Sequence, residues 1–167
     1  VVHDADLGPL ALAHNGNIIN ALALKTRLQE QGGAFSGTTD SEVIAQALVY
    51  TPGRTWVSRL RALMPRLQGA YSLTLLTPDA LYAVRDPFGI RPLCLGRLAS
   101  GAWVVASESC ALQTVGATFV REVQAGEIVQ IDTTPLDVMA VLDNGVTGRL
   151  VLTITVDVAT RTICAAV

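Results

Sequence analysis

Ala13-His14-Asn15-Gly16-Asn17, taken with Thr38-Thr39-Asp40-Ser41-Glu42 one helix further on, decides how this chain is read. The first stretch follows an apolar run, Leu10 to Ala13, and precedes a helical pattern at Ile18, Leu22 and Leu28. A strand is therefore expected to stop in a sharp polar turn before a helix begins. Gly16 can take a positive φ and lets a ligand approach the backbone closely. The Asn15 side-chain amide and the Gly16 N–H can both donate to a developing negative charge, and those are the parts of an oxyanion hole. Asn-Gly is equally an ordinary tight-turn dipeptide, so the pentapeptide alone leaves both readings open.

Outward from that stretch the chain divides into a helical and a strand-rich part. Val1 to Leu12 reads as a strand remnant broken by Asp4, Asp6, Gly8 and Pro9. Asn20 is placed to cap a helix running to about Gln31, with Ala21, Leu24 and Leu28 as its apolar stripe and Gly32-Gly33 as its stop. After a connector, Phe35 to Thr38, Thr39-x-x-Glu42 is a capping box for a second helix that buries Val43, Ile44, Ala47 and Leu48. Thr51-Pro52-Gly53 ends it. Thr55 caps a third helix with Trp56, Leu60, Leu63, Met64 and Leu67 inward, and Pro65 disturbs its last turn. Arg54, Arg59, Arg61 and Arg66 read as a solvated face of that helix. From Ala70 the period becomes that of strands. Tyr71–Leu76 and Ala80–Val84 flank a Thr77-Pro78-Asp79 turn, and Leu93–Leu98 and Ala102–Ala106 flank Ala99-Ser100-Gly101. A short helix at Ser109–Val115 and a strand at Glu127–Ile131 complete an α+β layered pattern.

Bulk properties exclude several classes. The 167 residues suffice for one domain with a core. Half of them are hydrophobic, only 16% are charged, and the mean hydropathy is +0.43. Such an apolar balance suggests a surface that expects a partner or a missing segment. A net charge of −2 gives no electrostatic case for nucleic acid, and no apolar run is long enough to span a bilayer. The cysteines, Cys94, Cys110 and Cys164, are odd in number and lack Cys-x-x-Cys spacing, which fits a reducing, cytoplasmic setting better than a disulfide framework. With only His3 and His14 to join them, a His/Cys metal site is not expected.

Six segments fall in one order: His14–Asn17, Thr39–Glu42, Gly69–Leu73, Tyr82–Leu93, Ala106–Cys110 and Ala125–Val129. Together they resemble the glutaminase domain of the amidophosphoribosyltransferases, class II glutamine amidotransferases with an N-terminal nucleophile. The resemblance runs from Val1 to about Asp132, and Arg85–Leu93 and Ala106–Leu112 are its most specific blocks. Asparagine synthetase and glucosamine-6-phosphate synthase share the broad layout, but Ser107–Leu112 and the spacing to Gly126-Glu127-Ile128 favour the purine enzyme. The implied fold is part of a four-layer αββα sandwich with antiparallel sheets. Residues 133–167 match poorly and read as a β-rich tail. Leu150–Val158 there is a β-branched alternating run, and Pro135–Met139 is a faint echo of the family.

The resemblance implies a function and a set of site residues. It points to de novo purine biosynthesis, with the glutamine amide as ammonia donor to phosphoribosyl pyrophosphate. Asn15 and Gly16 match the family's oxyanion hole, Asp40 matches the acidic residue that holds the substrate's α-ammonium, and His14, placed with Asp40 on the substrate-binding side, is expected to shape the turn beside them. Asp40 is also placed as a helix N-terminal residue, a structural role that local sequence supports equally. The family's nucleophile is a cysteine at the mature N-terminus. Position 1 here is Val1, so the expectation is a domain incomplete at its N-terminus and inactive by itself. Cys110, in Ser-Glu-Ser-Cys, is expected to be a buried structural thiol, and Cys94 a core residue. The Arg85–Pro92 block reads as a structural loop fixed by Asp86 pairing with Arg85 or Arg91, with an interface or substrate contact as the alternative. No cofactor is implied for this portion, magnesium belonging with a phosphoribosyltransferase domain. The implied partners are glutamine, that domain, or copies of the chain itself. The alternatives are a catalytically inactive glutamine-binding or protein-interaction domain, and another class II amidotransferase.

Overall fold

The computed structural model describes residues 1–132 and four short strands beyond them. In chain order these are β1 (Val2–Asp4), β2 (Gly8–Ile18), α1 (Ala21–Glu30), α2 (Asp40–Tyr50) and α3 (Trp56–Leu63), which tightens into a 3-10 turn at Met64–Arg66. Then come β3 (Gly69–Leu76), β4 (Ala80–Arg85), β5 (Cys94–Arg97), β6 (Trp103–Ala106), α4 (Ser109–Thr114), β7 (Thr118–Glu122) and β8 (Ile128–Asp132). The short strands are β9 (Met139–Val141), β10 (Thr147–Arg149), β11 (Ile154–Asp157) and β12 (Thr162–Ala166), paired as two hairpins. The echo at 135–138 and the flanks of the 150–158 run lie outside the described residues.

Period-two alternation builds the layers. One antiparallel sheet has the order β1-β2-β3-β4-β8 and another the order β6-β5-β7. Ala80, Tyr82 and Val84 of β4 pack with Leu24, Leu28, Ile44, Leu48, Leu60 and Leu63 of the first three helices. The alternate residues Leu81 and Ala83 join Leu93, Leu95, Val105 and Val123 between the sheets. On the far face of the smaller sheet, Cys94, Val104 and Ala106 pack on Leu112 of α4. The order is helices, sheet, sheet, helix, the expected αββα arrangement. Strand β7 was not legible, because all five of its residues are exposed and it shows no alternation.

The central correction concerns His14–Asn17. These residues form no turn: β2 continues through them, pairing His14 with Leu73, Asn15 with Ser72, Gly16 with Tyr71 and Asn17 with Ala70. The chain turns only at Ile19 and Asn20. Gly16 does take a positive φ, 143°, and a Cβ there would strike the Ala70 carbonyl. Close approach of β3, and not a turn, requires the glycine. The broken start of the chain is a hairpin, with Val2 opposite Leu10 and Asp4 opposite Gly8.

The helix signals hold with changed partners. Gly32, at φ 91°, closes α1 with the paired bonds Gly32 N–H to Gln29 O and Gly33 N–H to Leu28 O. Asn20 stands at the cap position of α1 but makes no cap bond; its amide donates to Arg66 O and accepts from Gln68 N–H. Thr39 accepts from Glu42 N–H, while the Glu42 carboxylate reaches back to Ser36 and Gly37 and ties down the connector. The Ser36 N–H and hydroxyl, with the Gly37 N–H, hold the Glu42 carboxyl below the usual range, against the opposing effect of desolvation. Thr55 and Ser58 form a full reciprocal box at α3.

Arg59 is the second correction. It is 4% exposed, not solvated. Its guanidinium bonds Asp4 at 2.5 Å, the Gly53 carbonyl, and the Leu48 and Val49 carbonyls at the end of α2. Burial pushes the Asp4 carboxyl up, but Arg59 and the N–H groups of Asp6 and Leu7 outweigh it and leave it below the ordinary value. Asp86 is the third. It is wholly buried, and its carboxylate accepts from the backbone N–H groups of Phe88, Ile90 and Arg91 rather than from an arginine side chain. Arg85 binds the carbonyls of Gly89, Arg91 and Val123, together with Glu122. The loop is structural, as expected, through different bonds.

Candidate functional site

The geometry of β2 distributes the expected site residues. Alternation turns Leu10, Leu12, His14 and Ile18 toward the helices, and Ala11, Ala13, Asn15 and Asn17 toward the opposite face. His14 and Asn15 therefore point to opposite sides of the sheet. The backbone alternates too. Ile19 N–H donates to Gln68 O, in line with β3, whereas Ile18 N–H points away and meets the Asp40 carboxylate at 3.3 Å. By the same alternation the N–H groups of Gly16 and His14 face that outer edge of β2, and β1 covers only Gly8–Leu10 of it.

On the helix side, His14 and Asp40 come together. His14 Nδ1 lies 3.4 Å from Asp40 Oδ1 and 3.4 Å from Ser41 Oγ, both in the first turn of α2. The imidazole is 2% exposed and the Asp40 side chain 24%. Among the described residues His14 Nε2 is buried without a hydrogen-bond partner, as is the hydroxyl of Tyr71 on the same sheet face. Burial lowers the His14 pKa; Asp40 partly opposes that, and Arg91 adds to it. The expectation of a turn-shaping histidine is thus replaced by one locked against a carboxylate.

On the other side, Asn15 Nδ2 donates to Ser107 Oγ at 3.1 Å, just beyond β6. Ser107 falls within the Ala106–Cys110 segment, and its partner Asn15 is too distant in sequence for any local signal to pair them. Ser41 was missed for the same reason.

Two cavities flank these residues. One of about 590 Å³ opens between β1, β2 and the start of α2, lined by Leu12, Phe35, Ser36, Thr39, Ser41 and Glu42 among others. The second, of about 670 Å³, is lined by Cys94, Ser107, Glu108, Cys110, Phe119 and Glu122 among others. Both are of a size that holds small molecules. Asn15, Gly16 and Asp40 line neither; each cavity reaches the site through a neighbouring serine. Cys110 is exposed, contrary to expectation, because Leu112 takes the inward face of α4. Its thiol donates to Glu108 at 3.4 Å. Cys94 is core as expected, its thiol pushed up to about 11 by burial first, then by the negative groups near it. Among the described residues no cluster of three or more His, Cys, Asp or Glu side chains could hold a metal ion. None of the described helices is long and apolar enough to cross a membrane.

A family model described as a glutamine amidotransferase domain matches residues 2–114. Amidophosphoribosyltransferase 3 of Arabidopsis thaliana, a chloroplastic protein, is 47% identical over 126 residues, covering 75% of this chain and 24% of that protein. The human amidophosphoribosyltransferase is 43% identical over 144 residues, covering 74% and 28%. The solved glutamine phosphoribosylpyrophosphate amidotransferase of B. subtilis, complexed with ADP and GMP, superposes with a TM-score of 0.73 at 35% identity, covering 90% of this chain and 32% of that one. The chain spans about a quarter of the length of these curated relatives. Its layered architecture is that of the glutaminase domain in these structures, an N-terminal nucleophile fold.

Proposed function

The chain belongs to the glutamine amidotransferase domain family, and from that premise we propose that it is the glutamine-binding part of an amidophosphoribosyltransferase. In this reading it presents glutamine for release of ammonia, which a phosphoribosyltransferase domain then adds to phosphoribosyl pyrophosphate in purine synthesis. The curated relatives that carry this name motivate the assignment.

One geometric observation carries the site. The Asp40 carboxylate sits at Ile18 N–H, and the Gly16 N–H faces the same edge two residues away, roughly 7 Å along the strand. That span is comparable to the separation of the α-nitrogen and the carboxamide in extended glutamine. Asp40 takes the α-ammonium through a charge-assisted bond. The Gly16 N–H stabilises the oxyanion that forms when the amide carbon is attacked, and the Asn15 amide, oriented by Ser107, supplies a second donor. Asn15 has two N–H bonds, so the one given to Ser107 leaves another for the substrate.

These groups bind and polarise; they do not attack. The attacking group is a thiolate, and neither described cysteine is set up as one. Cys94 is buried with its thiol pushed up to about 11, and Cys110 donates to a carboxylate. The proposed portion uses no cofactor, magnesium serving only the transferase domain.

The test is glutamine binding by calorimetry together with glutamine-dependent ammonia release, both on the chain as it stands. Binding without release supports an intact half-site whose nucleophile comes from elsewhere. Release would place the chemistry on a cysteine of this chain, with Cys110→Ala the next variant. Absence of binding overturns the reading.

A further inference from the structure

The buried imidazole of His14 goes beyond the oxyanion and ammonium groups, and its surroundings are asymmetric. Nδ1 faces Asp40 and Ser41, while Nε2 has no hydrogen-bond partner among the described residues. A neutral ring with its proton on Nδ1 donates toward Asp40 Oδ1 and leaves only a lone pair at Nε2. An imidazolium would carry a second N–H into a buried position with no acceptor. Meanwhile Asp40 Oδ2 is held by Ile18 N–H, so the carboxylate is gripped from two directions, one per oxygen.

From this geometry we infer that His14 is a positioning residue for Asp40, and that a proton on His14 and a cationic ammonium on Asp40 exclude one another. This rests on the glutamine reading for the identity of the ammonium. With the ring neutral, Asp40 keeps its full charge for the ligand and is held in one orientation by the Nδ1–H. With the ring protonated, the carboxylate is already ion-paired and the ligand must compete with it. The charged groups acting on His14 are Asp40, which favours the proton, and Arg91, which disfavours it; burial disfavours it most. Tyr71, on β3, has its phenol pushed up to about 12 and stays neutral throughout the relevant range. Glutamine affinity therefore falls as pH drops from 7 toward 5, and bound glutamine in turn makes His14 harder to protonate.

The test is an NMR titration of the His14 imidazole on the full chain. His14 should hold the Nδ1–H tautomer at pH 7 and titrate below the ordinary histidine value. Asp40→Asn should lower its midpoint further and abolish the tautomer preference. Calorimetry should show glutamine affinity falling with acidification. His14→Gln should weaken binding roughly tenfold at pH 7, the equivalent of one charge-assisted bond, and flatten the pH dependence. A His14 midpoint unmoved by Asp40→Asn overturns the inference, as does an unchanged pH profile in His14→Gln. If glutamine fails to bind at every pH, the glutamine reading falls instead, and the Asp40→Asn titration alone decides whether the pair is coupled.

Discussion

Asp86 and Asp40 are both carboxylates that hold backbone N–H groups, and they do opposite things. Asp86 is fully buried, and three amides of one loop satisfy it at 2.9–3.2 Å. Asp40 is partly exposed, accepts one amide at 3.3 Å and meets an imidazole at 3.4 Å. A buried charge can persist only where its surroundings replace water's hydrogen bonds. Asp86 meets that demand within the loop, so nothing remains for a ligand. Asp40 retains solvent contact and acceptor capacity. Saturation marks the residues that hold the fold, and incompleteness marks the residue that can bind.

The largest effect should come from the other saturated charge. Arg59→Met leaves Asp4 buried without its cation, and such a loss costs about 3–5 kcal/mol. Urea unfolding should show it. Asp4 has a lowered pKa in the fold, so its contribution is present above about pH 4 and is lost as pH falls through the folded value. In Arg59→Met that acid dependence should shrink. An Arg59→Met protein as stable as the parent would mean that a saturated carboxylate is not what fixes β1 to the helices.

Next is Asp86→Asn. The amide keeps the shape but turns an N–H group or a weaker acceptor toward three donors, and the expected loss is about 2–3 kcal/mol. Asp40→Asn sharpens the contrast, because its effect on stability should stay under about 1 kcal/mol, while glutamine affinity drops at least tenfold. If the two substitutions cost the same stability, the distinction between fold carboxylate and binding carboxylate is wrong.

The sequence carried part of this contrast. Caps and stops were readable, because Thr39, Thr55 and Gly32 act on donors and acceptors within a few residues. The layers were readable from alternation in β3 to β6. The His14–Asn17 segment was misread as a turn because the preference of Asn-Gly is local, whereas pairing with Leu73–Ala70 is not. The residue types suited the site even so, since close strand approach and ligand approach both require glycine. Arg59 looked solvated because its partner Asp4 is 55 residues away. Ser107 and the cradle around Asp86 were invisible for similar reasons.

The smallest expected effect tests whether the open region is open at all. The Tyr71 hydroxyl is buried in the cluster between sheet and helices, with no hydrogen-bond partner among the described residues. It lies opposite Gly16 and one diagonal step from His14, whose Nε2 is also unpaired. A hydroxyl stripped of water and given nothing in return is a net cost, and phenylalanine keeps the ring while removing it. Tyr71→Phe should therefore leave stability unchanged or raise it by up to about 1 kcal/mol, read from the urea midpoint. A loss of that size would mean that the hydroxyl has a partner in solution. His14 Nε2 is the other buried atom without a partner among the described residues, and a bond to it would give His14 a satisfied ring. His14 would then join Asp86 and Arg59 among the saturated groups that hold the fold, and the boundary of the binding region would retreat to Asp40 and the Gly16 edge.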